Sequence, residues 1–192
     1  MALYSLVLPT FTLLITISQL GISQTISKLI AKKTYNRFKI MQVAFLLSLI
    51  IDLIVGVIYI LLVPIIANSL LKNKDTMLTL YSLVFILPLI STSSLLKGYY
   101  IGIDEVEKSS ICQISEELTR ILFIVIVFKI YNFQNISIIT FLVMLSSLVG
   151  EVASIIHLLI CLRKKYKYLP YLKNDNENNK QIRNNILKLS LM

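Results

Sequence analysis

Long apolar blocks alternate with short polar clusters along this chain, and block length settles the first question. A helix that crosses a bilayer needs about 20 predominantly apolar residues. Residues 3–27, 40–66, 76–96, 109–130 and 136–162 each reach that length, so the pattern predicts five membrane-spanning helices in one bundle over residues 1–162. Residues 1–27 carry no charge, and they lack the basic start and short apolar core of a signal peptide. After Leu162 come Arg163, Lys164, Lys165 and Lys167, then Asn174-Asp175-Asn176-Glu177-Asn178-Asn179-Lys180. Such a stretch has too little apolar surface to fold by itself, so 163–181 is expected to be a solvated basic linker. Ile182, Ile186, Leu187, Leu189 and Leu191 restart a helical apolar pattern, and 182–192 reads as the first turns of a sixth, truncated helix.

Polar residues inside the spans fall on helical faces. Thr12, Thr16, Gln19, Ser23 and Ser27 repeat at spacings of three and four. That stripe suits interhelical packing and hydrogen bonding, and it equally suits the lining of a cavity. Asp52 is the one charge of the second span, with Ser48, Gly56 and Tyr59 at compatible spacing. In the third span, Ser91-Thr92-Ser93-Ser94 can satisfy backbone groups freed by Pro88. Lys97-Gly98-Tyr99-Tyr100-Ile101-Gly102 reads as a short loop before the fourth span. There Glu116, Glu117 and Arg120 can share one face, continued by Ser109 and Gln113. In the last span Ser147, Glu151, Ser154, His157 and Cys161 line one face. A charge at the bilayer centre costs roughly 2.5–3.5 kcal/mol on insertion scales, so such residues face a bundle interior or a wet cavity. Glu116 or Glu117 paired with Arg120 would fix helix packing.

Composition narrows the class. Of 192 residues, 56% are hydrophobic and 15% charged, against about 25% charged in soluble domains. The fold class expected is therefore an all-α integral membrane protein. A net charge of +9 would suit nucleic acid, but its placement argues against that. Lys28, Lys32, Lys33, Arg37, Lys39, Lys97, Lys108 and the cations of 163–188 fall on one side of the five-span arrangement; Lys72, Lys74 and Lys129 fall on the other. Excess lysine and arginine marks the cytoplasmic side. This places Met1 outside, and one further upstream helix would bring the start of the protein into the cytoplasm. Cys112 and Cys161 have no metal-ligand or redox spacing, and one histidine with no tryptophan leaves little for a catalytic centre. No metal site, cofactor or enzymatic constellation is expected.

Several stretches carry a family resemblance: Ala2-Leu3-Tyr4-Ser5-Leu6-Val7-Leu8-Pro9, Gly21-Ile22-Ser23, Ile26-Ser27-Lys28-Leu29, the Lys97–Gly102 stretch, Gln113, Glu116, Glu117 and Arg120, and Ile186-Leu187-Lys188-Leu189-Ser190-Leu191. In order and spacing they resemble the stage V sporulation protein B-like, polysaccharide-biosynthesis branch of the multidrug/oligosaccharidyl-lipid/polysaccharide exporter superfamily. The resemblance implies a MATE-like fold of 12–14 helices in two lobes that alternate access to a central cavity. This chain would supply five helices of the N-terminal lobe and the start of the next. The function implied is a flippase in the bacterial cytoplasmic membrane. It would move lipid-linked anionic glycan precursors for peptidoglycan or polysaccharide, in sporulation or cell-wall synthesis. Its partners would be membrane lipids, the glycan lipid and a coupling ion. The cavity candidates are Lys28 and Arg120 for the anion, with Asp52, Glu116, Glu117 and Glu151 as counter-charges or ion sites. A cation-coupled multidrug exporter of the same superfamily is the alternative transport reading. A non-transporting membrane protein, or a gene fragment, is the reading from another class.

Overall fold

The computed structural model describes residues 2–19, 21–32, 36–70, 77–130, 136–166 and 179–190, and every regular element among them is helical. The helices are α1 (Ala2–Gln19), α2 (Ile22–Ala31), α3 (Arg37–Ile65), α4 (Met77–Gly102), α5 (Val106–Ile130), α6 (Ile136–Tyr166) and α7 (Asn179–Ser190). A π-helical turn, Ile66–Leu70, follows α3 just after Pro64. Helices are the natural outcome for β-branched-rich segments in lipid, because only helices and closed barrels satisfy their own backbone there. Pro9–Ala31, Arg37–Asn68, Thr79–Gly102 and Ile138–Arg163 are long and apolar enough to cross a membrane, by length and composition. The chain is an all-α membrane protein.

Five spans were expected and, among the described residues, four meet those measures. The fifth, α5, differs because Glu116, Glu117 and Arg120 interrupt its apolar sequence. Its outer side is nonetheless apolar and exposed, through Ile111, Ile114, Leu118, Ile121, Leu122 and Val125. Its inner side packs along α6. The expected first span, 3–27, is two helices. Gly21 adopts a left-handed conformation (φ 66°), which a residue without a Cβ takes at little cost, and α2 starts anew from it.

Helix α4 is the hub: it contacts α1, α2, α3, α5 and α6. The Lys97–Gly102 stretch, expected to be a loop, belongs to this helix. Its glycines serve close packing. A Cβ on Gly98 would lie 2.6 Å from the Ser23 carbonyl oxygen, and one on Gly102 would lie 2.9 Å from that of Ser27. Gly98 and Gly102, four apart, therefore seat α4 directly on the α2 backbone, the small-residue contact that lets helices approach in lipid. The hydroxyl stripe of the first span divides accordingly. Ser23 and Ser27 lie in this contact, whereas Thr12 and Thr16 are exposed and bond carbonyls of their own helix. The Gln19 side chain is outside the described residues.

The real α4–α5 turn spans only residues 103–105. Glu105 N–H bonds the Tyr100 carbonyl at 2.9 Å and Asp104 N–H bonds that of Ile101 at 3.1 Å. This is the Schellman pattern that closes helix C-termini, with Asp104 (φ 65°) at the left-handed position usually held by glycine. Glu105 then pairs with Lys108 at 2.8 Å, and that hydrogen bond holds the Lys108 ammonium above the usual lysine range.

Two apolar clusters hold the bundle. One joins Ile26 and Ile30 of α2, Ile40 and Ala44 of α3, Tyr100 of α4 and Leu158 of α6. Ile182 and Ile186 of α7 are fully buried in this cluster, so the segment expected over 182–192 is a short amphipathic helix lying on α2 and α3. The second cluster joins Leu14, Tyr59, Val63, Leu83, Leu87 and Met144. Within the expected linker, 163–181, α6 continues to Tyr166 and α7 begins at Asn179; residues 167–178 are outside the described residues.

Candidate functional site: a charge cluster between three helices

Where α4, α5 and α6 meet, small side chains draw the helices together. Gly150 of α6 has no Cβ to hold it off α5; one added there would lie 3.2 Å from the Glu116 carbonyl oxygen. One turn further along α6, Ser154 Oγ lies 3.0 Å from Ser93 Oγ of α4 and 2.9 Å from Cys112 Sγ of α5. Tyr100 donates its hydroxyl to the Leu158 carbonyl at 3.1 Å, tying α4 to α6 again.

Charged side chains converge beside this contact. Glu116 is 5% exposed. Its Oε2 accepts from Lys97 Nζ at 2.7 Å, across from α4, and its Oε1 accepts from an Arg120 terminal nitrogen at 3.1 Å. Arg120 also reaches the more exposed Glu117 at 3.3 Å. Glu151 of α6, the residue after Gly150, is buried as well. Two polar atoms there, Arg120 Nε and Glu151 Oε2, are buried without a hydrogen-bond partner among the described residues. His157 lies a turn away, 3.5 Å from Ser115 Oγ.

Lys97 falls within the membrane-capable stretch Thr79–Gly102, and α5 packs beside that helix. Lys97 lies about 8 Å along α4 from its end at Gly102, and Glu116 about 15 Å along α5 from Val106, at 1.5 Å per residue. The hydrocarbon core is about 30 Å thick. In that setting the arrangement offers two cations, an ammonium and a guanidinium, sharing one buried carboxylate. An oxyanion that displaced Glu116 would find both cations oriented toward it, and arginine grips phosphate oxygens in pairs.

Of the residues singled out in the sequence, Glu116, Glu117, Arg120 and Glu151 come together here. Asp52 does not: it is buried on α3, where it accepts the Ser91 hydroxyl of α4. Lys28 is exposed in the last turn of α2, away from the cluster. Gln113 is exposed too, so the polar face of α5 runs through Ser109, Cys112 and Glu116 instead. Near Pro88, Thr92 donates to the Pro88 carbonyl at 2.6 Å, and Ser91 reaches that carbonyl at 3.2 Å as well as Asp52. Sequence reading missed Lys97, Ser93 and Gly150. Lys97 had a signal: it lies four residues after Ser93 and belongs to the same helical face once Gly98 is read as helical.

The family model described as "Polysaccharide biosynthesis protein" matches residues 1–192. Stage V sporulation protein B of Bacillus subtilis (strain 168) is 29% identical over 199 residues, covering 98% of this chain and 38% of that protein. The chain thus spans well under half the length of that curated relative. No solved structure matches it. By the match along its whole length, the chain belongs to the polysaccharide biosynthesis protein family.

Proposed function

We propose that this chain forms part of the N-terminal lobe of a flippase that moves a lipid-linked anionic glycan precursor across the bacterial cytoplasmic membrane by alternating access. The observation that carries the reading is the pairing of Lys97 and Arg120 on one buried carboxylate, Glu116. A buried ion cluster is a poor source of stability, and inside a membrane ionisable residues mark substrate and ion pathways. The chemistry suits a phosphate-linked glycan. With no substrate present, Glu116 occupies the two cations; a pyrophosphate takes its place, and the carboxylate returns as the anion leaves. Family membership and the likeness to a sporulation protein support a glycan-lipid substrate. Peptidoglycan and polysaccharide precursors both meet the chemical requirement.

The test is replacement of Arg120 by Ala in a full-length family member containing this segment. Complementation of the glycan-export defect should be lost while the protein remains in the membrane at normal abundance. Full complementation would refute the anion role.

A further inference from the structure

We propose that α7, together with the ends of α2 and α3 on which it lies, forms a docking surface for the headgroups of anionic phospholipids. This surface is separate from the charge cluster and does not depend on the flippase reading. The membrane-capable stretches Pro9–Ala31 and Arg37–Asn68 end and begin on either side of residues 32–36, so that junction marks one face of the membrane. Helix α7 packs on both helices there. Its Ile182 and Ile186 share a cluster with Ile26 and Ile30 of α2 and with Ile40 and Ala44 of α3. At 1.5 Å per residue, those four residues lie within about 11 Å of the α2 end or the α3 start. Interfacial amphipathic helices bury their apolar face to a similar depth, about 5–10 Å.

One sign of charge covers this surface. Helix α7 presents Lys180, Arg183 and Lys188, all exposed and turned away from Ile182 and Ile186. The end of α2 adds exposed Lys28 and Lys32, and the start of α3 adds half-buried Arg37 and Lys39. Residues 1–51 and 179–192 contain no acidic residue. The acids at this end of the bundle, Asp104, Glu105 and Glu107, belong to the α4–α5 turn, where Glu105 holds Lys108.

Apolar side chains stand among the cations. Phe38, between Arg37 and Lys39, is 55% exposed, and Asn36 fixes the start of α3 there by accepting the Phe38 N–H at 3.0 Å. Leu187, next to Lys188 and one turn from Arg183, is 38% exposed. A basic surface turned only to water gains nothing from exposed hydrocarbon. A lipid interface uses both kinds of side chain: phenylalanine and leucine enter the acyl boundary while lysine and arginine reach the phosphates. Clusters of about four to eight cations on or beside a helix at the membrane surface are the pattern that binds anionic lipid.

The test uses the full chain in bilayers. It contains no tryptophan, so Phe38→Trp creates a single fluorescent reporter beside α7. Phe85→Trp, on an exposed position about 26 Å along α4 from Gly102, creates a control. Each is placed in equimolar phosphatidylglycerol and phosphatidylcholine, with one lipid or the other brominated as a short-range quencher. Brominated phosphatidylglycerol should quench Phe38→Trp at least about threefold more than brominated phosphatidylcholine does, and Phe85→Trp about equally. The preference should fade in 1 M salt, where the screening length falls to about 3 Å. Replacing Lys180, Arg183 and Lys188 together by Gln should bring the Phe38→Trp ratio close to that of the control. Should that variant fail to fold, Arg183→Gln alone should lower the ratio, and the salt series requires no cation to be removed. Equal quenching of Phe38→Trp by the two lipids at low salt, or a preference unmoved by salt and by the α7 changes, would overturn the proposal. So would protection of Phe38→Trp from both brominated lipids by added single-stranded RNA, which would assign the surface to nucleic acid.

Discussion

Removing the Glu116 side chain is the sharpest perturbation of the three-helix contact. Glu116→Ala leaves Lys97 and Arg120, with side chains only 22% and 29% exposed, without the carboxylate that both use. Truncating one partner of a buried ion pair costs about 3–5 kcal/mol, because the other charge remains desolvated. Two features lower the expectation here. Arg120 keeps its 3.3 Å contact with Glu117, and both cations retain some contact with solvent. The expected loss is therefore about 2–3 kcal/mol, at and below the lower end of that range. Reversible unfolding in mixed detergent–SDS micelles would measure it. Replacing both partners should cost less than the two single changes together, so Lys97→Met added to Glu116→Ala should recover about 1–2 kcal/mol of coupling. Wild-type stability in Glu116→Ala to within about 0.5 kcal/mol, or strict additivity in the cycle, would refute the shared-carboxylate account.

Three further outcomes follow from geometry. Gly98→Ala and Gly102→Ala should each destabilise the fold by about 1–3 kcal/mol by pushing α4 off the α2 backbone, despite alanine's better helix propensity of about 1 kcal/mol; the same micelle assay would show it, and a stabilised variant would contradict the packing. Asp104→Gly should stabilise the α4–α5 turn by up to about 1 kcal/mol, since the left-handed backbone costs an ordinary residue and glycine almost nothing; a lowered stability would mean that the Asp104 side chain matters there. Asp52→Asn keeps an acceptor for Ser91 and should stay within about 1 kcal/mol of wild type, whereas Asp52→Leu should cost about 1–3 kcal/mol; equal losses would show that the charge, not the hydrogen bond, is needed.

How far the fold was readable follows from the same residues. Apolar block length was enough to fix an all-helical membrane bundle, because lipid leaves no other use for such segments. Glu116, Glu117, Arg120 and Glu151 stood out because charges in apolar helices are costly. Glycine was harder to read. Gly21 in an uninterrupted apolar run breaks a helix through its left-handed backbone, whereas Gly98 and Gly102, which looked like loop residues, lie within α4. The difference depends on whether another backbone lies against the glycine, and no single-segment pattern reports that. Placing Lys97 in a loop hid it from the cluster. Lys28 and Asp52 were separated from the cluster only by three-dimensional placement: spacing along one helix says nothing of which neighbour it faces.

On the proposed function, Lys97 and Arg120 bind the phosphate of a glycan lipid during its passage across the membrane. The most direct measurement is translocation of a fluorescent polyprenyl-pyrophosphate glycan in proteoliposomes containing a full-length family member with this segment. Lys97→Met and Arg120→Gln should each reduce translocation at least tenfold, about 1.4 kcal/mol or more of transition-state stabilisation, with reconstituted protein unchanged. Translocation at the wild-type rate in both variants would contradict it.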